Sequence, residues 1–175
     1  MDRMDRRIGR DFFLRDVLDL AWVIPGKHLV LASKDAVHRY QIREVEAYRG
    51  EEDQACHARK GRTNRTKVMY MPGGHLYVYL IYGMHWMLNI VTGPAEFPQA
   101  LLIRSLAQVK GPGRLTRRLG LDGSYNTEDL ASSRRIWMED NPEATGEIIT
   151  QPRIGIDYAA EEWREKPWRF ILQDH

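Results

Sequence analysis

Apolar residues near the start of the chain recur at helical spacing. In RDFFLRDVLDLAWVIPG, Phe13, Val17, Leu20 and Ala21 form one stripe and Pro25-Gly26 ends it, which predicts a first helix. The pattern then changes to short β-rich runs, HLVLAS and YQIREVEAY, joined by a turn at Lys34-Asp35. GGHLYVYLIYGMHWMLNIVTG is too aromatic and β-branched for a surface helix. It reads as two strands meeting at Tyr82-Gly83, a hairpin whose glycine supplies backbone freedom and whose tip lifts an aromatic ring into solvent. QALLIRSL follows as a further strand, and these four segments read as one sheet. GPGRLTRRLGLD predicts a helix with Pro112 in its first turn, Leu115 and Leu119 inward and arginines outward. RIGID and WRFIL are the expected last strands. Neither a repeat nor a dividing linker is visible, so residues 1–175 are expected to form one domain, with 1–8 as a flexible start.

Within the second run, the alternation of an extended chain puts Ile42, Glu44, Glu46 and Tyr48 on one face and Arg43, Val45 and Ala47 on the other. The face carrying two carboxylates and a phenol is the unusual one. It breaks into a loop rich in arginine.

A chain of 175 residues with 43% hydrophobic content can bury a substantial core. No run approaches the roughly 18 apolar residues of a membrane span, and MDRMDRRIGR lacks the apolar stretch of a signal peptide, so an intracellular protein with no membrane partner is expected. One cysteine, Cys56, forbids an internal disulfide. The net charge of +2 is modest, but the charge is clustered. Arg59, Lys60, Arg62, Arg65 and Lys67 share one loop, Arg114, Arg117 and Arg118 another segment, and the acidic residues lie elsewhere.

Each candidate residue has an ordinary reading beside a functional one. Glu46 is either ion-paired to an arginine such as Arg104 or, if recessed beside Tyr48, a carboxylate whose burial raises its pKa while an arginine lowers it, a base aimed at a water. Tyr82 is either amphipathic surface or, beside a basic loop, a wedge between stacked bases. Asn89 and Arg104 interrupt apolar runs and need partners if buried. Cys56, His57 and His75 lack the spacing of a zinc site, so no metal is expected. The chain has neither a G-x-S-x-G elbow nor a phosphate-cradling G-x-x-x-x-G-K-[ST].

Taken in order, EVEAY, the following ED-x-A-x-H, MYMPGG-x-LYVYLIYGM, Asn89 of LNIV, Arg104 of LLIRSL, GPGRL, RIGI and WREKPWRF resemble the alkyladenine DNA glycosylases, also called 3-methyladenine or methylpurine DNA glycosylases. The resemblance runs from about Gly9 to Leu172. It implies an α+β fold, a curved, largely antiparallel sheet flanked by helices, with the hairpin projecting into DNA and the pocket on a basic face. It implies a monofunctional enzyme that flips alkylated or deaminated purines out of double-stranded DNA and leaves an abasic site, with no cofactor. By the resemblance Glu46 deprotonates a water, and Arg104 and the main-chain carbonyl of Ile154 hold that water. Tyr48, His57 and Tyr79 enclose the base, and Asn89 crowds the 2-amino group of normal guanine. Tyr82 fills the gap in the duplex, and Met84 and Leu102 pack beneath these groups. Arg59, Arg62, Arg65, Lys67 and Arg114 are the candidate contacts to the DNA backbone. His85 and Trp86 depart from the family pattern and are expected near the wedge, while the loop Gly93–Gln99, between Asn89 and Arg104, is not diagnostic and its effect on pocket access stays open. A monomer is the default, with a downstream abasic-site nuclease as a possible partner. Two other classes stay open: a non-catalytic nucleic-acid-binding module, which would not need Glu46, and, more distantly, a metal-dependent hydrolase.

Overall fold

A computed structural model describes residues 6–174. The apolar stripe at the start becomes two helices, α1 (Arg10–Phe13) and α2 (Val17–Val23). The single helix expected there is interrupted because other groups claim its backbone. The Phe13 carbonyl accepts from the Gly93 N–H, the Asp16 carboxylate accepts from the Leu18 N–H as an N-cap, and the buried Gln99 amide oxygen accepts from the Val17 N–H at 2.6 Å. Gly73 lies against the same corner. A Cβ there would sit 1.9 Å from the Phe13 carbonyl oxygen, so only glycine fits.

Next along the chain come β1 (His28–Ala32) and the long β2 (Val37–Arg49). The basic loop folds into 3-10 turns at His57–Lys60 and Thr66–Tyr70. The aromatic run is the hairpin β3 (Leu76–Ile81) and β4 (His85–Val91), followed by β5 (Gln99–Leu106), the short β6 (Val109–Lys110) and helix α3 (Pro112–Leu119). As expected, Leu115 is fully buried and Leu119 packs against the core. The chain finishes with β7 (Ile136–Glu139), β8 (Glu147–Gln151), α4 (Glu161–Arg164) and β9 (Arg169–Gln173).

These strands form one curled antiparallel sheet in the order β3-β4-β5-β2-β1-β7, with β6 on β5 and β8 on β9. The α+β class expected from the sequence is the class observed. One edge of β2 is shared: residues 37–41 pair with β1, whereas Glu44, Val45 and Glu46 pair with Ile171, Phe170 and Arg169 of β9. The other edge pairs with β5 through two register slips, between Ile42 and Glu44 and between Glu44 and Val45. That irregularity corrects the simple alternation. Ile42 joins the same core as Val45 and Ala47, because a bulge resets which side chains face inward.

Three further expectations change. RIGID is not a strand: pairing ends at Gln151, Pro152 has no N–H to offer a ladder, and Gly155 turns the chain at φ 75°. Strand β7 was hidden in an acidic stretch, although Ile136 and Met138 are fully buried against β1. Residues 6–8 belong to the fold, since Arg7 bridges to Glu139 and the Ile8 N–H donates to the Met138 carbonyl; the rest of the expected flexible start lies outside the described residues.

At the hairpin tip the Met84 N–H donates to the Ile81 carbonyl, and both central residues have positive φ, Tyr82 at 50° and Gly83 at 66°. This is the left-handed turn that suits the twist of a β-hairpin, with tyrosine in a place normally left to glycine or asparagine. Tyr82 is 89% exposed and Met84 67%, so Met84 does not pack beneath other groups. It leaves the sheet at the turn beside Tyr82. Trp86 instead folds back, packing on Gly123, where a Cβ would come 2.8 Å from the indole, and only His85 of that pair is exposed.

Candidate active site

Strands β2 and β5, the hairpin and the segment after β8 surround a cavity of about 560 Å³, a size suited to a small ring system. Tyr48, His57, Tyr79, Asn89, Arg104 and Ile154 line it. Glu46 stands directly behind this wall with no exposed surface. Its Oε1 accepts from Arg104 Nη1 at 3.0 Å and from the Tyr48 hydroxyl at 3.1 Å, and its Oε2 accepts from the Ile154 N–H at 2.6 Å. Burial pushes the Glu46 carboxyl up, and the Arg104 guanidinium, the Ile154 N–H and the Tyr48 hydroxyl pull it part of the way back. A carboxylate has about four acceptor positions, and these donors fill three of them.

The aromatic wall is neutral. Burial, followed by the charges of Arg65 and Arg59, lowers the His57 pKa to about 4. His57 Nδ1 lies 2.9 Å from the Tyr77 hydroxyl, and its ring lies 4.5 Å from that of Tyr79. Burial likewise raises the phenols of Tyr48, Tyr77 and Tyr79. Asn89 is buried on β4 and donates to the Tyr77 carbonyl, and Leu102, its neighbour on β5 and that of Glu46, also lines the cavity. Tyr82 contributes to the lining from the hairpin tip.

The basic residues divide. Arg65 lines the cavity, lies over the Tyr79 ring and donates to the Leu80 carbonyl, while Arg59 lies over Tyr158, another lining residue. Arg62 turns away and pairs with Glu96 at 2.6 Å. Lys67 and Arg114 are exposed. The loop 93–99 holds Glu96 and packs Phe97 against Gly50; it supplies none of the cavity lining among the described residues. Cys56 is buried, its thiol pushed up to about 12, and no three of His, Cys, Asp and Glu converge as metal ligands among the described residues.

Two ion pairs around the site were not apparent from the sequence. Arg153 and Asp53 form a fully buried bidentate pair with contacts of 2.6 and 3.0 Å. Arg153 also donates to the Ala47 carbonyl and lies over the Tyr48 ring. Asp53 sits in an acidic run that reads as solvated surface, and Arg153 belongs to a segment read as a strand. Their only signal in the sequence was the change from the charged run Glu51–Asp53 to the small apolar Ala55 and Cys56, which the structure buries. Glu44 pairs with Arg169 at 3.0 Å and faces Arg104.

The chain matches the family model for Methylpurine-DNA glycosylase (MPG) over residues 11–110 and 107–175. A relative from Legionella pneumophila (strain Corby), bearing the name "Putative 3-methyladenine DNA glycosylase", is 41% identical over 177 residues, 97% of this chain and 96% of its own length. Proteins of the same name from Borrelia garinii subsp. bavariensis and Desulfitobacterium hafniense (strain Y51) are 41% identical over 182 residues and 40% over 197. They cover 96% and 97% of this chain, and 97% and 96% of their own lengths.

Proposed function

The chain belongs to the methylpurine-DNA glycosylase family, and from that premise we propose that it is a monofunctional glycosylase. It extrudes an alkylated or deaminated purine from duplex DNA, hydrolyses its N-glycosidic bond and leaves an abasic site. The observation that carries this reading is the Glu46 carboxylate, sealed from solvent and held by Arg104, Tyr48 and the Ile154 N–H immediately behind an aromatic cavity.

Each part has a physical task. The free acceptor position of Glu46 takes the proton of a water as the water oxygen bonds to C1′, and the electrons of the breaking C1′–N bond leave with the base. Arg104 favours the ionised carboxylate against the upward pull of burial, and with the Ile154 backbone it orients the water. The faces of Tyr48, His57 and Tyr79 enclose the extruded base. A cationic alkylpurine gains about 0.5–2 kcal/mol from such faces. A neutral imidazole at His57 adds no repulsion to that cation. Asn89 limits room for the 2-amino group of guanine, and Tyr82 occupies the space left in the stack, where unstacking costs a few kcal/mol and least at a damaged pair. Arg59, Arg65, Lys67 and Arg114 face the phosphates.

Base release from duplexes holding one 7-methylguanine, hypoxanthine or ethenoadenine, read as alkali-labile sites in the presence of chelator, tests the reading. Glu46→Gln is expected to cut single-turnover release by about 10²- to 10⁴-fold while lesion binding persists. Tight binding without release by the unmodified protein on every lesion would favour a non-catalytic recognition module.

A further inference from the structure

The first strand motif of the site contains two carboxylates, and the proposed chemistry uses only Glu46. Glu44 lies two residues away with its side chain largely buried, an arrangement that needs a reason. Its partners supply one. Arg104, whose Nη1 holds Glu46, presents its Nε to Glu44 Oε1 at 3.6 Å, and the same oxygen accepts from Arg169 Nη1 at 3.0 Å. Arg169 stands opposite Glu46 in the β2–β9 register, and its Nε donates to the Pro152 carbonyl at 2.8 Å. Two residues beyond Pro152, the Ile154 N–H returns to Glu46 Oε2 at 2.6 Å. The contacts therefore close a ring, from Glu46 through Arg104, Glu44, Arg169 and the 152–154 backbone back to Glu46.

We propose that Arg169 is a positioning residue for base release: one planar guanidinium grips Glu44 and the Pro152 carbonyl together, and so fixes both arms, Arg104 and the Ile154 N–H, that hold Glu46. This rests on Glu46 being the general base. Arginine suits the task because its rigid fork satisfies two acceptors from one side chain, which a lysine ammonium on a flexible stem does not do in the same geometry. The Arg169 side chain is largely buried, which removes much of the screening that weakens surface pairs. Displacements of about 1 Å at such a support can cost on the order of 100-fold in rate.

Removing Arg169 moves the pH profile in one direction. The groups facing Glu46 are Tyr48 and Glu44 on β2, Arg104 on β5, Arg169 on β9 and the Ile154 N–H. Loss of the Arg169 charge, an uncompensated Glu44 and a loosened Ile154 N–H all favour the protonated carboxyl. The decisive experiment measures single-turnover release against pH, with lesion-duplex affinity and thermal stability, for Arg169→Gln, Arg169→Lys and Glu46→Gln. Arg169→Gln is expected to release base about 10- to 100-fold more slowly near neutrality, with its acid limb displaced to higher pH and affinity retained within about threefold. Arg169→Lys is expected to keep the displaced limb, because it holds Glu44 but not Pro152. An unmoved limb, or parallel losses of rate, affinity and stability, would reduce Arg169 to a structural pair. Full rescue by lysine would replace positioning with a simple field effect. If Glu46→Gln releases base normally, the general-base reading itself fails and this inference with it; loss in Glu46→Gln beside normal Arg169→Gln overturns the inference alone.

Discussion

Glu46 and His57 show how residue-scale environment sets chemistry in this cavity. Both are withdrawn from water, yet burial acts on them in opposite directions: it raises the carboxyl of Glu46 and lowers the imidazole of His57 to about 4. For His57 the consequence is a pH-dependent stability. Between the ordinary value of 6.5 and about 4 the unfolded chain binds a proton that the folded chain refuses, so this contribution is complete above 6.5 and is lost as pH falls through 4. Urea midpoints measured from pH 7 to pH 4 should drop in the native protein, and His57→Gln should flatten that drop. The sequence exposed much of this scale. Tyr48, His57, Tyr79, Asn89, Arg104 and Ile154, proposed from ordered motifs, all line one cavity, and Glu46 backs it. The supporting residues Asp53, Arg153 and Arg169 stayed hidden, because their meaning lies in pairings across 100 and 125 positions that no local spacing encodes.

At the scale of elements, the hairpin was legible because its aromatic and β-branched run and its Tyr-Gly break obey local rules. The bulge in β2 and the unpaired RIGID segment were not, since tertiary neighbours decide both. The tip has a measurable cost. Tyr82 occupies a left-handed conformation that penalises a side chain by about 1–2 kcal/mol. Tyr82→Gly should therefore stabilise the protein by about 1 kcal/mol in chemical denaturation. The same variant should excise lesions from duplex DNA more slowly, because the ring proposed to fill the vacated stack is gone. A variant that is more stable and equally active would remove the wedge from the mechanism.

Across the whole molecule, the Asp53–Arg153 pair couples the loop after β2 to the segment after β8. Such a buried pair is weak as a source of net stability but expensive to break, because the surviving charge has no water to return to. Asp53→Asn should cost about 3–5 kcal/mol. Calorimetry or urea titration would register it, and a change below 1 kcal/mol would mean that the cluster reorganises around the orphaned arginine. The sharing of one edge of β2 between β1 and β9 has a consequence in time. β1 is available to β2 as soon as that part of the chain is made, whereas the Glu44–Glu46 stretch waits for a strand more than a hundred residues further on. During synthesis at about 5–20 residues per second, that stretch of strand edge, and Glu44 as the partner of Arg169, stay unpaired for several seconds after β2 has emerged. With Glu46 as the proposed base and Arg169 as its proposed support, the nascent chain is expected to gain base release only when β9 docks.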